Sequence, residues 1–234
     1  MDETALREQM CHIGQLMHNN GYVDGAGGNI SARLDNDRLL TTPSGIAKGF
    51  MRPNQLIVVD MQGNKIDTND IDQQHLRPTS EIIMHLECYR QRPDIQAVVH
   101  AHPPTAIALT ISGHSFTEFL IPEVVILMGI IPILPYSSPA SDENREIIAT
   151  AIKDHDVLML SHHGSLTSAK SLWDAYLRLE NLEHSAKIIH MVHQLGGAKN
   201  RLTSDQIEKL IAIRSRLGLL RPHEREQLME LSHY

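Results

Sequence analysis

The stretch "VVHAHPPTA", residues 98–106, decides how the chain is read. Its β-branched residues mark a strand, and side chains two apart in a strand project to the same side. His100 and His102 therefore point together and could grip one ion. An isolated His-x-His is also common by chance, and a strand end can carry two solvated histidines. The metal reading therefore depends on further ligands elsewhere.

Working outward, "RPTSEIIMHLECYRQRP" (77–93) predicts a helix before that strand. Pro78 and Thr79 signal its start, Glu81 falls in its first turn, Ile82, Leu86 and Tyr89 form an apolar face, and Pro93 halts it. Upstream, residues 4–20 space Leu6, Met10, Ile13, Leu16 and Met17 as an amphipathic helix that stops at Gly21. "DGAGGNISARL" (24–34) then reads as a glycine-rich turn running into a strand. "RLLTTPSGI" (38–46) carries a turn of its own, and "LIVVDMQGNKI" (56–66) reads as a hairpin about Gln62-Gly63-Asn64.

Downstream, a helix is expected from about Pro104 to Ser112, and the apolar block 119–136 is expected to form buried strands and turns. A helix opened by Ser141 or Asp142 leads to a strand, "VLMLSHHGSL" (157–166). Long helices then fill 170–195 and most of 203–231. Strands first cluster and then alternate with helices, which is an α/β pattern. Residues 1–234 are expected to form a single domain, with 203–234 as a C-terminal helical segment.

Composition narrows the function classes. The 234 residues are 41% hydrophobic, enough for a substantial core. A net charge of -7 and 4% aromatic content provide neither the basic patch nor the stacking platform of a nucleic-acid binder. Cys11 and Cys88 form no metal or disulfide pattern, and "MDETALREQM" is not a secretory signal, so a reducing cytoplasm is expected. The block 119–136 approaches the length of a membrane span but holds Glu123, Gly129 and three prolines, so no membrane partner is expected.

Three places now offer ligands: Glu81 at a helix start, His100 and His102 on a strand, and His162-His163 before Gly164. Three neutral imidazoles and one carboxylate leave a divalent zinc with a residual charge of about +1, which makes it a Lewis acid. Taken alone, Glu81 could be only an acid favoured by the helix dipole. His85, four residues on, lies beside an apolar face and reads as a hydrogen-bonded core histidine. His12, His18, His184, His190 and His193 lie on helical stretches without acidic partners at ligand spacing, and most are expected at the surface or in packing.

Five ordered motifs carry a resemblance: "GGNIS" (27–31), "TPSG" (42–45), "PTSE" (78–81), "HAHPP" (100–104) and "HHGSL" (162–166). Over roughly residues 1–195 the chain resembles the class II aldolase/adducin family, and most of all its aldolases of the fuculose-1-phosphate type. The resemblance implies an α/β/α sandwich about a central, mainly antiparallel sheet. It implies zinc, or another divalent transition metal, held by Glu81, His100, His102 and His163, with Glu81 also catalytic. It assigns the substrate phosphate to Gly28, Asn29, Ser44, Gly45, Thr79 and Ser80, where glycines admit backbone N–H groups close to an anion.

The implied activity is reversible cleavage of a ketose 1-phosphate to dihydroxyacetone phosphate and an aldehyde, in a homotetramer. The alternatives are a sugar-phosphate 4-epimerase, a dehydratase, or a non-catalytic adducin-like interaction module. The intact ligand set favours an enzyme, and Glu81, where epimerases of the family usually carry Asp, favours an aldolase. Two departures stand out. Thr79 replaces a serine, and the segment 119–128 lacks the tyrosine that the aldolases place there, with Glu123 present instead and Tyr234 available at the chain end.

Overall fold

A computed structural model describes residues 2–66 and 73–232. Its centre is one seven-stranded sheet in the order β3-β2-β1-β4-β7-β6-β5. The strands are β1 (Asn29–Arg33), β2 (Arg38–Thr41), β3 (Ile57–Asp60), β4 (Ala97–Ala101), β5 (Ile133–Leu134), β6 (Val157–Leu160) and β7 (Gly164–Ala169). All neighbours are antiparallel except β5 and β6, so the sheet is mainly antiparallel as expected. The helices are α1 (Glu3–Asn19), α2 (Ile82–Gln91), α3 (Pro104–Ile111), α4 (Asp142–Ala151), α5 (Leu172–Gln194), α6 (Ser204–Arg216) and α7 (Glu224–Leu231). None of the helices among the described residues is long and apolar enough to cross a membrane.

The period-two alternation of β4 explains the layers. Ala97, Val99 and Ala101 join the core beneath α1 and α5, with Met10, Ile13, Tyr176 and Leu179. Val98 joins the opposite core, with Met84, Leu86 and Ile148 from α2 and α4. A third cluster packs α3, α5 and α6 around Val157 and Met159. Helices thus cover both faces of the sheet. Side-chain caps fix several starts, for Asp2, Ser141, Ser171 and Thr203 each accept from a backbone N–H at the head of α1, α4, α5 and α6.

Three local expectations are corrected. Residues 157–166 are not one strand but the hairpin β6–β7, turned at Ser161, His162 and His163, with His162 in the left-handed region at φ 59°. A strand pattern could not show this, because apolar residues run up to the histidines and no Asn-Gly or Asp-Gly pair marks the turn. The block 119–136 holds a π-helical turn, Val124–Met128, and only the two-residue strand β5. Glu81 sits one residue before α2, with φ -97° and ψ 14°, and not in its first turn.

The hairpin brings Gly164 against the end of β4, where a Cβ would meet the Ala101 carbonyl oxygen at 2.3 Å and His100 Cε1 and His102 Cδ2 at 3.0 Å each. Gly164→Ala is therefore expected to lower the unfolding free energy by about 1–3 kcal/mol in urea denaturation. An unchanged midpoint would show that the strand pair yields without cost.

Candidate metal and phosphate site

His100 is the last residue but one of β4, and its ring is fully buried. Its Nδ1 lies 2.8 Å from the Ser165 carbonyl oxygen. A carbonyl can only accept, so Nδ1 carries the proton and Nε2 presents a lone pair. His102 lies just past the strand, with Nδ1 3.4 Å from the Asp24 carboxylate. His163 enters from the β6–β7 turn. The three rings meet at centroid distances of 4.8 to 5.5 Å, and one ligand atom from each lies within 4.8 Å of the others.

Glu81 completes the group. Its Oε2 is 3.4 Å from His100 Nε2, and its Oε1 is 3.1 Å from His163 Nε2. His100 Nε2 also faces His102 Nε2 at 3.2 Å. Lone pairs at such separations repel one another unless a proton or cation lies among them. For comparison, a tetrahedral zinc with bonds of about 2.0–2.1 Å spaces its ligand atoms at about 3.3 Å. Two further atoms point the same way: Glu81 Oε1 and His163 Nδ1 are buried with no hydrogen-bond partner in the protein. These residues fit a divalent metal. His162, by contrast, sits on the left-handed turn with Tyr136 beside it.

The protonation states suit the same purpose. Burial pushes the His100 imidazole down to about 3, against the opposing pull of the Glu81 charge. Burial alone would raise the Glu81 carboxyl, but His163, His100 and Asn29 outweigh it and hold it down at about 2. A neutral imidazole beside an ionised carboxylate is the form in which both donate to a metal.

A hydrogen-bonded chain holds Glu81 in place. Tyr89 Oη and Ser31 Oγ are 2.8 Å apart, Ser31 Oγ is 2.7 Å from His85 Nδ1, and His85 Nε2 is 2.5 Å from Asn29 Oδ1. Asn29 Nδ2 then donates to Glu81 Oε2 at 2.8 Å. The amide must donate to the carboxylate, so its oxygen accepts from His85 Nε2–H, and His85 Nδ1 accepts from the Ser31 hydroxyl. His85 is thus the core histidine that the sequence suggested. Asn29 has both ends of its side chain committed, and its backbone is paired with His100 in the β1–β4 ladder.

The remaining phosphate candidates lie on turns that the fold brings together. Gly28, at φ 67°, would place a Cβ 2.9 Å from the His100 carbonyl oxygen, so only glycine fits there. Pro43 and Pro78 form an isolated bridge, which sets the turn holding Ser44 and Gly45 beside the one holding Thr79 and Ser80. Ser44, Gly45 and Ser80 are exposed, whereas Thr79 is buried with Oγ1 accepting from Glu81 N–H at 3.3 Å.

Lys48 escaped the sequence reading. Its buried ammonium donates to the Ala26 carbonyl at 2.9 Å and the Ile46 carbonyl at 2.6 Å, pinning two of these loops together. Burial lowers it to about 8 despite the nearby Glu81 charge. "GIAKGF" offers no motif that would have singled it out.

Other expectations fare differently. His193 does meet acid and imidazole, at Glu118 (2.8 Å) and His114 (ring centroids 4.3 Å), through contacts far apart in sequence. Glu123 precedes the π-helical turn. Tyr234 lies outside the described residues.

Burial also pushes His85 down to about 4. The unfolded chain binds that proton near pH 6.5 and the folded chain does not, so the contribution is whole above pH 6.5 and is lost as pH falls towards 4. His85→Gln is expected to flatten the acid loss of stability in this window by up to about 1.4 kcal/mol per pH unit, read from denaturation midpoints. Identical pH profiles would place the His85 ring in solvent contact.

Comparison with known proteins agrees with this geometry. The family profile described as Class II Aldolase and Adducin N-terminal domain matches residues 8–190. The 3-oxo-tetronate 4-phosphate decarboxylase of Haemophilus influenzae is 30% identical over 209 residues, covering 88% of this chain and 95% of its own. The L-fuculose phosphate aldolase of Methanococcus vannielii is 35% identical over 184 residues, covering 79% and 93%. The solved structure of YgbL from Klebsiella pneumoniae superposes with a TM-score of 0.79 at 30% identity, over 90% of this chain and 99% of that one. With most of its length matched on all three counts, the chain belongs to the class II aldolase/adducin family and is a lyase of the class II aldolase type.

Proposed function

We propose that the chain cleaves a carbon–carbon bond next to the carbonyl of a phosphorylated sugar, with a ketose 1-phosphate as the leading substrate and dihydroxyacetone phosphate plus an aldehyde as products. One observation carries this reading: three imidazoles and the Glu81 carboxylate converge beside glycine-rich turns with exposed hydroxyls. His100, His102, His163 and Glu81 would hold a divalent cation, with zinc the first choice for an N₃O donor set. Bound there, the cation supplies positive charge against the enediolate left when the bond breaks.

The protein's own groups do the rest. The turn that runs through Gly28 into Asn29, with the backbone N–H groups of Gly28 and Gly45 and the hydroxyls of Ser44, Thr79 and Ser80, takes the phosphate, which fixes the distance from that anion to the reacting carbons. Glu81 is ionised and aimed by Asn29, so it is ready to take and return the proton at the carbon that becomes nucleophilic. A homotetramer in the cytoplasm, built from one domain per chain, completes the reading.

A second reading is favoured by one specific feature. Retro-aldol cleavage needs a group that removes a proton from the hydroxyl of the departing aldehyde, and 119–128 contains no tyrosine for it. Decarboxylation of a phosphorylated 3-oxo acid leaves the same kind of enediolate while carbon dioxide departs without that proton transfer. Decarboxylase relatives also match 88–89% of this chain.

The test is incubation with ketose 1-phosphates and with phosphorylated 3-oxo sugar acids, scoring released aldehyde against carbon dioxide and against epimerised sugar. The leading reading expects aldehyde and triose phosphate from a ketose 1-phosphate, abolished by Glu81→Gln and by chelation, and restored by zinc after chelation. Carbon dioxide released together with a phosphorylated ketose from the 3-oxo acids, and no aldehyde from any ketose 1-phosphate, would establish the second reading. Full turnover by Glu81→Gln would remove that residue from the chemistry.

A further inference from the structure

At the far end of β4 and β7, where Ala97 pairs with Ala169, lies a cleft of about 600 Å³ that belongs to neither the histidine cluster nor the glycine turns. Its floor is Asp156, whose side chain is 5% exposed. Three guanidinium groups converge on this one carboxylate: Arg92 at 2.8 Å, Arg178 at 3.0 Å, and Arg221 in direct contact. Arg92 is also forked onto Asp94 at 2.6 and 2.9 Å, so that pair is balanced. The Asp156 carboxylate then faces Arg178 and Arg221 together, and with Lys170 and Asp174 also on the lining the cleft carries one net positive charge, four cationic side chains against three carboxylates.

Two more observations point to a missing counter-charge. Arg221 Nε is buried and has no hydrogen-bond acceptor in the protein, a costly state for a charged donor. Lys170 lines the same cleft and is exposed, and Leu177 and Leu220 give it apolar wall. In a chain of net charge -7, a walled pocket with excess positive charge and a spare guanidinium N–H is built for a small oxyanion.

We propose that this cleft is a second anion site that binds phosphate or a small phosphate monoester, with Arg221 and Arg178 as its charged contacts and Lys170 at its mouth. Binding turns the Arg221 guanidinium, whose Nε–H is closed off from solvent in the unbound chain, so that this donor meets a phosphate oxygen, and the carbon part of a monoester rests on Leu177 and Leu220.

Calorimetric titration of the full chain with inorganic phosphate at low ionic strength tests this, because the wild type should take two per chain, one in the cleft and one at the glycine turns. Arg221→Met should lose one of the two. Lys170→Glu, at an exposed position that leaves folding intact, should weaken that same site about tenfold. Glycerol phosphate in place of inorganic phosphate should bind the cleft more tightly if a monoester is the ligand, and no more tightly if free phosphate is. Phosphate binding by Arg221→Met and Lys170→Glu that matches the wild type in number and affinity would overturn the proposal. A wild type that binds one phosphate and loses it in Arg221→Met would uphold the cleft and instead strike the assignment of the glycine turns.

Discussion

The register of β4 between β1 and β7 is the constraint on which the rest depends. It sets His100 opposite Asn29 on one side and Leu166 on the other, and puts Ala101 opposite Ser165. A slip of one residue would turn His100 into the α1–α5 core and carry Val99 to the position now facing Glu81. The register is secured from both faces, since Val99 and Val98 each enter an apolar cluster that a slip would invert. From this one alignment follow the Ser165 carbonyl that fixes the His100 tautomer and the tight packing of Gly164 on the Ala101 carbonyl.

The site that results is electrostatically coherent. The buried His100 imidazole resists protonation, the Glu81 carboxylate is kept charged by its neighbours, and a directed chain of hydrogen bonds from Tyr89 to Asn29 aims that carboxylate. Buried polar groups in such a chain are costly unless every member is satisfied, and here each donor meets an acceptor until the chain reaches Glu81. There the chain ends, with the other carboxylate oxygen facing His163 Nε2 at 3.1 Å. The same logic at the other end of the sheet gives the opposite sign, with three guanidinium groups around Asp156.

Much of this was readable from residue order. Alternation placed His100 and His102 together, periodicity gave α1 and the bulk of α2, and the apolar setting of His85 marked it as a core histidine. What stayed hidden depends on contacts between segments distant in sequence. The turn at His162 breaks a strand that its apolar lead-in appeared to continue, because a left-handed non-glycine residue has no sequence signature. The grip of Lys48 on Ala26 and Ile46, the meeting of His193 with Glu118, and the double commitment of the Asn29 side chain are likewise products of tertiary placement. That the turns at Ser44 and Thr79 lie side by side, through the Pro43–Pro78 bridge, is legible only in the fold.

X-ray absorption at the zinc edge on the purified, zinc-loaded chain addresses the central claim most directly. One ion per chain is predicted, ligated by three imidazole nitrogens and a carboxylate oxygen at about 2.0–2.2 Å, and lost in His100→Ala. Zinc bound equally well by His100→Ala, or a first shell without three imidazoles, would contradict it.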